Sequence, residues 1–234
     1  MKRLLVLLLC GGLLAACAYA ANDLGDPSGT TSAPVAEDTT PLWAHVPETI
    51  SPEWGAFFTE KGQGRETPMP APDDIEGWKA VQAANDEAQE AATDEKAKAF
   101  DVTYKESEIA GIPVVEVTPS ELASTDKIAV YTHGGAYVLN SAKAVIESAM
   151  FFAAETGLRV IAVDYTLAPH SKWQETTDEI VDVFTALAEQ GFAADDIVLY
   201  GDSAGGGLAA GVTLKMRDLG MEMPGALVLW SPWA

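Results

Sequence analysis

The most constraining feature of this chain is an abrupt change of pattern around a serine. A short apolar run, Ile197-Val198-Leu199-Tyr200, meets Gly201-Asp202-Ser203-Ala204-Gly205-Gly206 and then a helix-forming stretch, Gly207 to Lys215. That reads as strand, sharp turn, helix, with Ser203 at the apex. A turn so tight forces the serine backbone into a strained conformation. A Cβ at position 201 or 205 would collide with the neighbouring strand or helix, so glycine is required there. The hydroxyl is then held above a sheet, open to attack a carbonyl. Ser203 is the candidate nucleophile of a G-x-S-x-G elbow, and Gly201 and Gly205 are its structural residues.

A second motif, His133-Gly134-Gly135-Ala136-Tyr137, lies 70 positions upstream and follows another strand-like run, Lys127 to Thr132. Acyl transfer passes through a tetrahedral oxyanion, which needs donors already aimed at it. Backbone N–H groups of a glycine-rich loop can approach closely because no side chain blocks them. The expected oxyanion hole therefore combines amides from Gly134, Gly135 and Ala136 with that of Ala204, the residue after the nucleophile.

With these blocks in place, the chain resembles the hormone-sensitive-lipase-like branch of the α/β-hydrolases, the bacterial carboxylesterases and lactone hydrolases among them. The likeness rests on the two motifs above and on Asp164-Tyr165-Thr166-Leu167-Ala168-Pro169. It is supported by Val46-Pro47-Glu48-Thr49-Ile50-Ser51-Pro52-Glu53 and Leu229-Trp230-Ser231-Pro232-Trp233, and spans roughly residues 43 to 234. The resemblance implies structural roles for His133 and Asp164. Two departures stand out. Ala136 occupies the place of the family's third glycine. His170-Ser171-Lys172-Trp173-Gln174 replaces its Glu-His-Pro-Phe-Pro, leaving that loop without its prolines.

A hydrolase triad of this fold runs serine, carboxylate, histidine along the chain. After Ser203 only 31 residues remain; they include Asp218 and Glu222 but no histidine. His45, His133 and His170 all lie upstream. His133 begins the oxyanion loop, and His45 and His170 read as structural or solvated. Asp202 is not the triad acid, since adjacent side chains on a sharp turn point apart. The expectation is a fragment whose acid and histidine lie beyond Ala234, on about 80–100 further residues that carry the last strands and helices. As given, the chain is expected to be inactive for want of both.

The front of the chain reads separately. Met1-Lys2-Arg3, an apolar run from Leu4 and then small residues make a secretory signal, residues 1–16. Leu14-Ala15-Ala16-Cys17 resembles the lipobox of bacterial lipoproteins, which implies a lipid at Cys17 and a membrane association through it. Cleavage after Ala18-Tyr19-Ala20, releasing a periplasmic or secreted protein, is the rival. Residues 17–40 form a polar tether, 41–99 a helical cap, and 100–234 an incomplete α/β core. Both cysteines fall in the leader, so no disulfide or thiol site is expected beyond it. Net charge is −21, which argues against nucleic acid as a partner.

Within the cap, Asp73-Asp74-Ile75-Glu76 predicts a helix start. Ile75, Trp78 and Val81, extended by Ala84 and Ala88, form its expected inward face, and Asp86, Glu87, Glu90, Asp94 and Glu95 a solvated one. Trp43, Trp54, Phe57 and Phe58 either line an acyl pocket or pack as plain cap core. Beyond it, 100–108 and 112–117 predict an antiparallel pair; 127–132, 158–164, 196–200 and 225–230 predict buried parallel strands. Helices are expected at about 142–156, 175–190 and 204–219. The whole predicts a doubly wound, mostly parallel sheet with an N-terminal helical cap, the α/β-hydrolase fold. The expected activity is cleavage of short-acyl esters or lactones through an acyl-serine, with no metal or cofactor. The competing expectation is a non-catalytic binder on the same scaffold.

Overall fold

The structure, a computed structural model, describes residues 49–61 and 69–233, with side chains of the first stretch through Phe57. Trp43, His45, Cys17, the signal and tether segments and the Phe58 side chain lie outside the described residues. The chain divides into two compact units, Met1–Pro68 and Met69–Ala234. In the first, helix α1 (Pro52–Lys61) carries Trp54 and Phe57, packed edge-to-face at 5.3 Å.

The second unit runs α2 (Ile75–Glu90), α3 (Thr93–Ala99), β1 (Val102–Ile109), β2 (Ile112–Pro119), β3 (Ile128–Thr132), α4 (Glu147–Thr156), β4 (Arg159–Val163), α5 (Trp173–Glu189), β5 (Ile197–Asp202), α6 (Ala204–Asp218) and β6 (Ala226–Trp230). One sheet of order β1-β2-β4-β3-β5-β6 holds every strand among the described residues. β1 and β2 form an antiparallel hairpin, and β2 joins β4 antiparallel. From β4 through β6 the pairing is parallel. The hairpin closes on Ala110 (φ 55°) and Gly111 (φ 77°), both left-handed, the two-residue turn that matches strand twist.

Period-two alternation sorts the parallel strands onto two faces. Ile128, Val130, Ile161, Val163, Ile197 and Leu199 share a core with α5 and α6 residues Ile180, Phe184, Leu187, Leu208 and Val212. Ala129, Tyr131, Val160, Ala162 and Tyr200 pack instead with Ala149, Met150 and Ala153 of α4. Helices thus cover both faces, which explains the uninterrupted apolar strands. The expected stripe Ile180-Phe184-Leu187 is buried. Helix α4 starts at Glu147 rather than near 142 because local bonds compete for the preceding backbone. Asp164 Oδ1 accepts from Ala142 N–H (2.8 Å), and Ser141 Oγ from Ala144 N–H (3.1 Å).

Candidate active site

The ends of β3 and β5 lie side by side, Thr132 registering with Gly201. From β5 the chain turns through Ser203, whose backbone is left-handed at φ 50°, ψ −122°. Both sides of the serine are tied. Its N–H donates to Trp230 O (2.9 Å), and its carbonyl accepts from Trp233 N–H (2.8 Å) and Gly207 N–H (3.1 Å). The residue itself is exposed. An ideal Cβ on Gly205 would stand 2.0 Å from Thr132 O, and one on Gly201 2.4 Å from Gly205 O, so only glycine lets helix and strand close at this distance. Ala204 opens α6, where a first-turn amide has no intrahelical acceptor.

Beside the elbow runs the loop after β3. Gly135 (φ 133°), Ala136 (φ 55°), Tyr137 (φ 62°) and Asn140 (φ 72°) are all left-handed. A non-glycine residue held there costs about 1–3 kcal/mol, so Ala136, in place of a glycine, adds strain a glycine would avoid. At Gly135 a Cβ would fall 2.1 Å from Leu139 O. Gly134 N–H donates to Asp202 Oδ1 (3.2 Å), which also accepts from Tyr131 Oη (2.5 Å). Asp202 is thus engaged with the glycine loop and strand β3. Because the Gly134 amide is taken, Gly135, Ala136 and Ala204 are left as amides without an acceptor among the described residues.

His133 is fully buried. Its Nδ1 donates to Gly134 O (2.9 Å) in the tautomer that bond requires, and its ring stacks on Tyr165 at 4.3 Å. Tyr165 Oη donates to His133 O (2.6 Å). Burial holds the imidazole below its ordinary value of 6.5, so it is a neutral brace. His170 is exposed, yet its Nε2 lies 3.0 Å from Gln82 Oε1, so it is partnered rather than merely solvated. Among the described residues no imidazole hydrogen-bonds Ser203.

The face of α2 departs from the sequence expectation. Trp78 is buried and Val81 half-buried, as expected, but Ala84 and Ala88 are exposed and Ile75 is 38% exposed, while Gln82, Asn85 and Gln89 are half-buried. Gln82 Nε2 donates to Val138 O (3.0 Å) and Ala168 O (3.1 Å). The side chains of Asn85 (3.0 Å) and Gln89 (2.8 Å) both donate to Asn140 Oδ1. The helix therefore meets oxygen acceptors, two backbone carbonyls and the Asn140 amide oxygen, which call for donors rather than methyl groups. Apolar periodicity misses such a face; amides at spacings of three and four were its only sequence signal. Asp86 and Glu90, expected in solvent, instead line a cleft of about 550 Å³ with Glu106, Glu108, Asp164 and Lys143. Burial raises the Asp86 carboxyl above its ordinary value. Near the elbow, Tyr137 packs against Trp173 (5.8 Å) and Trp233 (5.9 Å); Trp173 carried no motif that marked it.

A sheet with helices on both faces, a strained serine between strand and helix, and a glycine loop beside it make up the arrangement of an α/β-hydrolase scaffold. Residues 129–234 match the family described as alpha/beta hydrolase fold. The chain is 40% identical over 131 residues to the putative acetyl-hydrolase LipR of Mycobacterium tuberculosis, covering 56% of this chain and 42% of that protein. Among solved structures, an esterase E25 superposes with a TM-score of 0.64 at 30% identity, over 80% of this chain and 58% of that one. An esterase from the bacterial hormone-sensitive lipase family gives 0.55 at 27% identity, over 67% and 57%. The chain has the α/β-hydrolase fold and is similar to esterases, one of them from the bacterial hormone-sensitive lipase family. It spans about half the length of these relatives.

Proposed function

We propose that the protein is a serine carboxylic-ester hydrolase acting on short-acyl esters or lactones. Ser203 Oγ attacks the acyl carbon, the alcohol oxygen leaves with a proton, and water then cleaves the acyl-serine. The oxyanion is received by amides of Gly135, Ala136 and Ala204, while Gly134 serves Asp202 instead. The observation that carries this reading is the exposed serine at φ 50° beside a left-handed loop, the two joined through Asp202. Preorganised amides of this kind are worth about 10²–10³ in rate each. The base is an imidazole oriented by a carboxylate, both supplied from outside the described residues; without them the hydroxyl is a poor nucleophile. The names of the relatives, acetyl-hydrolase and esterase, support the substrate class.

The absence of an imidazole on Ser203 among the described residues favours one rival, a non-catalytic binder on the same scaffold. Ser203→Ala in the complete gene product separates them. Abolished cleavage of p-nitrophenyl acetate supports the hydrolase, and unchanged cleavage removes it. Export with a lipid at Cys17 is part of the same proposal, supported by the leader sequence. An unlipidated mature N-terminus by mass spectrometry would refute the anchor.

A further inference from the structure

We propose that Asn140, clamped by the amide ladder of α2, is the positioning residue of the oxyanion loop. This inference rests on the hydrolase reading above. Four of the seven residues from Gly134 to Asn140 are left-handed, and such a segment persists only where its surroundings over-determine it. The carboxamide of Asn140 supplies three of those constraints. Its Nδ2 donates to Gly134 O (3.0 Å), directly before the amides assigned to the oxyanion. Its Oδ1 accepts from Asn85 Nδ2 (3.0 Å) and Gln89 Nε2 (2.8 Å). A carboxamide carries donor and acceptor on separate atoms, so it can donate to Gly134 O while accepting twice on its other side, which an ionised carboxylate cannot do. Asparagine also tolerates the left-handed backbone at this position.

Gln82 completes the ladder. Positions 82, 85 and 89 fall on one helical face. Gln82 joins Val138 O to Ala168 O, and Ala168 N–H in turn donates to Tyr137 O (2.8 Å). Helix α2 thus holds the loop at both ends. The chemical consequence is directional. Displacing the amides of Gly135 and Ala136 weakens interactions made by the developing oxyanion and leaves ester binding largely intact.

The test is Asn140→Gly in the complete gene product, compared with Asn140→Asp. Glycine keeps φ 72° accessible, so the variant folds while losing all three bonds. Aspartate keeps the acceptor toward α2 but loses the donor to Gly134. Both variants are expected to lower kcat for p-nitrophenyl acetate by about 10²-fold. KM should stay within about two-fold. The Ki of a trifluoromethyl ketone, which mimics the tetrahedral adduct, should rise with the loss in kcat. Asn85→Ala with Gln89→Ala should give part of the loss and add little to Asn140→Gly. Cleavage that depends on Ser203 but is unchanged in Asn140→Gly overturns the inference alone, as does a change confined to KM. Cleavage that persists in Ser203→Ala overturns both.

Discussion

Gly205→Ala and Gly211→Ala place the same methyl group on the same helix, and the structure assigns them opposite outcomes. At position 205 the new Cβ would lie 2.0 Å from Thr132 O and 2.5 Å from His133 O, where real Cβ atoms stay beyond 3.0 Å. Both obstacles are backbone, held by the sheet and by Thr132 Oγ1 donating to Gly205 O (2.8 Å). The helix and β3 must therefore separate by about 1 Å, and overpacking against rigid backbone on both sides costs about 3 kcal/mol, the top of the usual range. The gain in helix propensity from glycine to alanine returns only about 1 kcal/mol. At position 211 the Cβ would lie 2.3 Å from Cζ2 of Trp173, the outer edge of a side chain 46% exposed that can turn aside. There the propensity gain offsets the contact. Gly205→Ala is expected to destabilise by about 2 kcal/mol, and at about 2–4 °C per kcal/mol to melt about 4–8 °C lower. Gly211→Ala is expected to melt within about 2 °C of the parent. Thermal melts of the complete gene product by circular dichroism decide it. A Gly205→Ala variant that melts with the parent would refute the reasoning, as would equal losses in the two variants.

Tyr131→Phe removes the hydroxyl that donates to Asp202 Oδ1 and leaves a half-buried carboxylate short of a donor. Urea denaturation is expected to show a loss of about 1.5–3 kcal/mol, the range for a hydrogen bond to a charged group. The pH dependence follows from His133, whose folded value burial holds below 6.5. The unfolded chain then binds more protons as pH falls through about 6.5, so stability declines below that pH and levels off once the folded value is passed. Replacing His133 with Asn should flatten the slope of unfolding free energy between about pH 7 and pH 5; an unchanged slope would show that other groups set it.

Apolar periodicity found the central strands because β3, β4 and β5 are buried on both faces by helices, leaving uninterrupted runs such as Ile128–Thr132, whereas β6, expected to be buried like them, leaves Leu227 and Leu229 exposed. Ile180, Phe184 and Leu187 were legible for the same reason: their partner surface is hydrocarbon. On α2 the rule held at Trp78 but failed at Ile75, Ala84 and Ala88, because the partner surface there presents oxygen acceptors. Gln82, Asn85 and Gln89 therefore face inward while Ala84 and Ala88 face water. The candidate nucleophile and glycine loop were visible because each needs residue types that few other situations require. The engagement of Asp202 with Tyr131 and Gly134 was not, since it joins positions 68 to 71 residues apart and no local pattern encodes it.

Left-handed backbone in non-glycine residues is concentrated around the candidate site. Asp101 and Ala110 flank β1, whereas Ala136, Tyr137, Asn140, Ser203 and Ser231 follow the carboxyl ends of β3, β5 and β6. Each costs about 1–3 kcal/mol, so these conformations persist only because neighbouring structure fixes both ends. At Ser203 the fixing groups belong to the chain at and just after β6: Trp230 O receives its N–H and Trp233 N–H donates to its carbonyl. At the loop they belong to β5 through Asp202 and to α2 through Asn140. The serine's geometry is therefore a property of adjacent strands as much as of the turn that bears it. A substitution that loosens the β5–β6 pairing should disturb Ser203 before it disturbs the loop, and one on α2 should do the reverse.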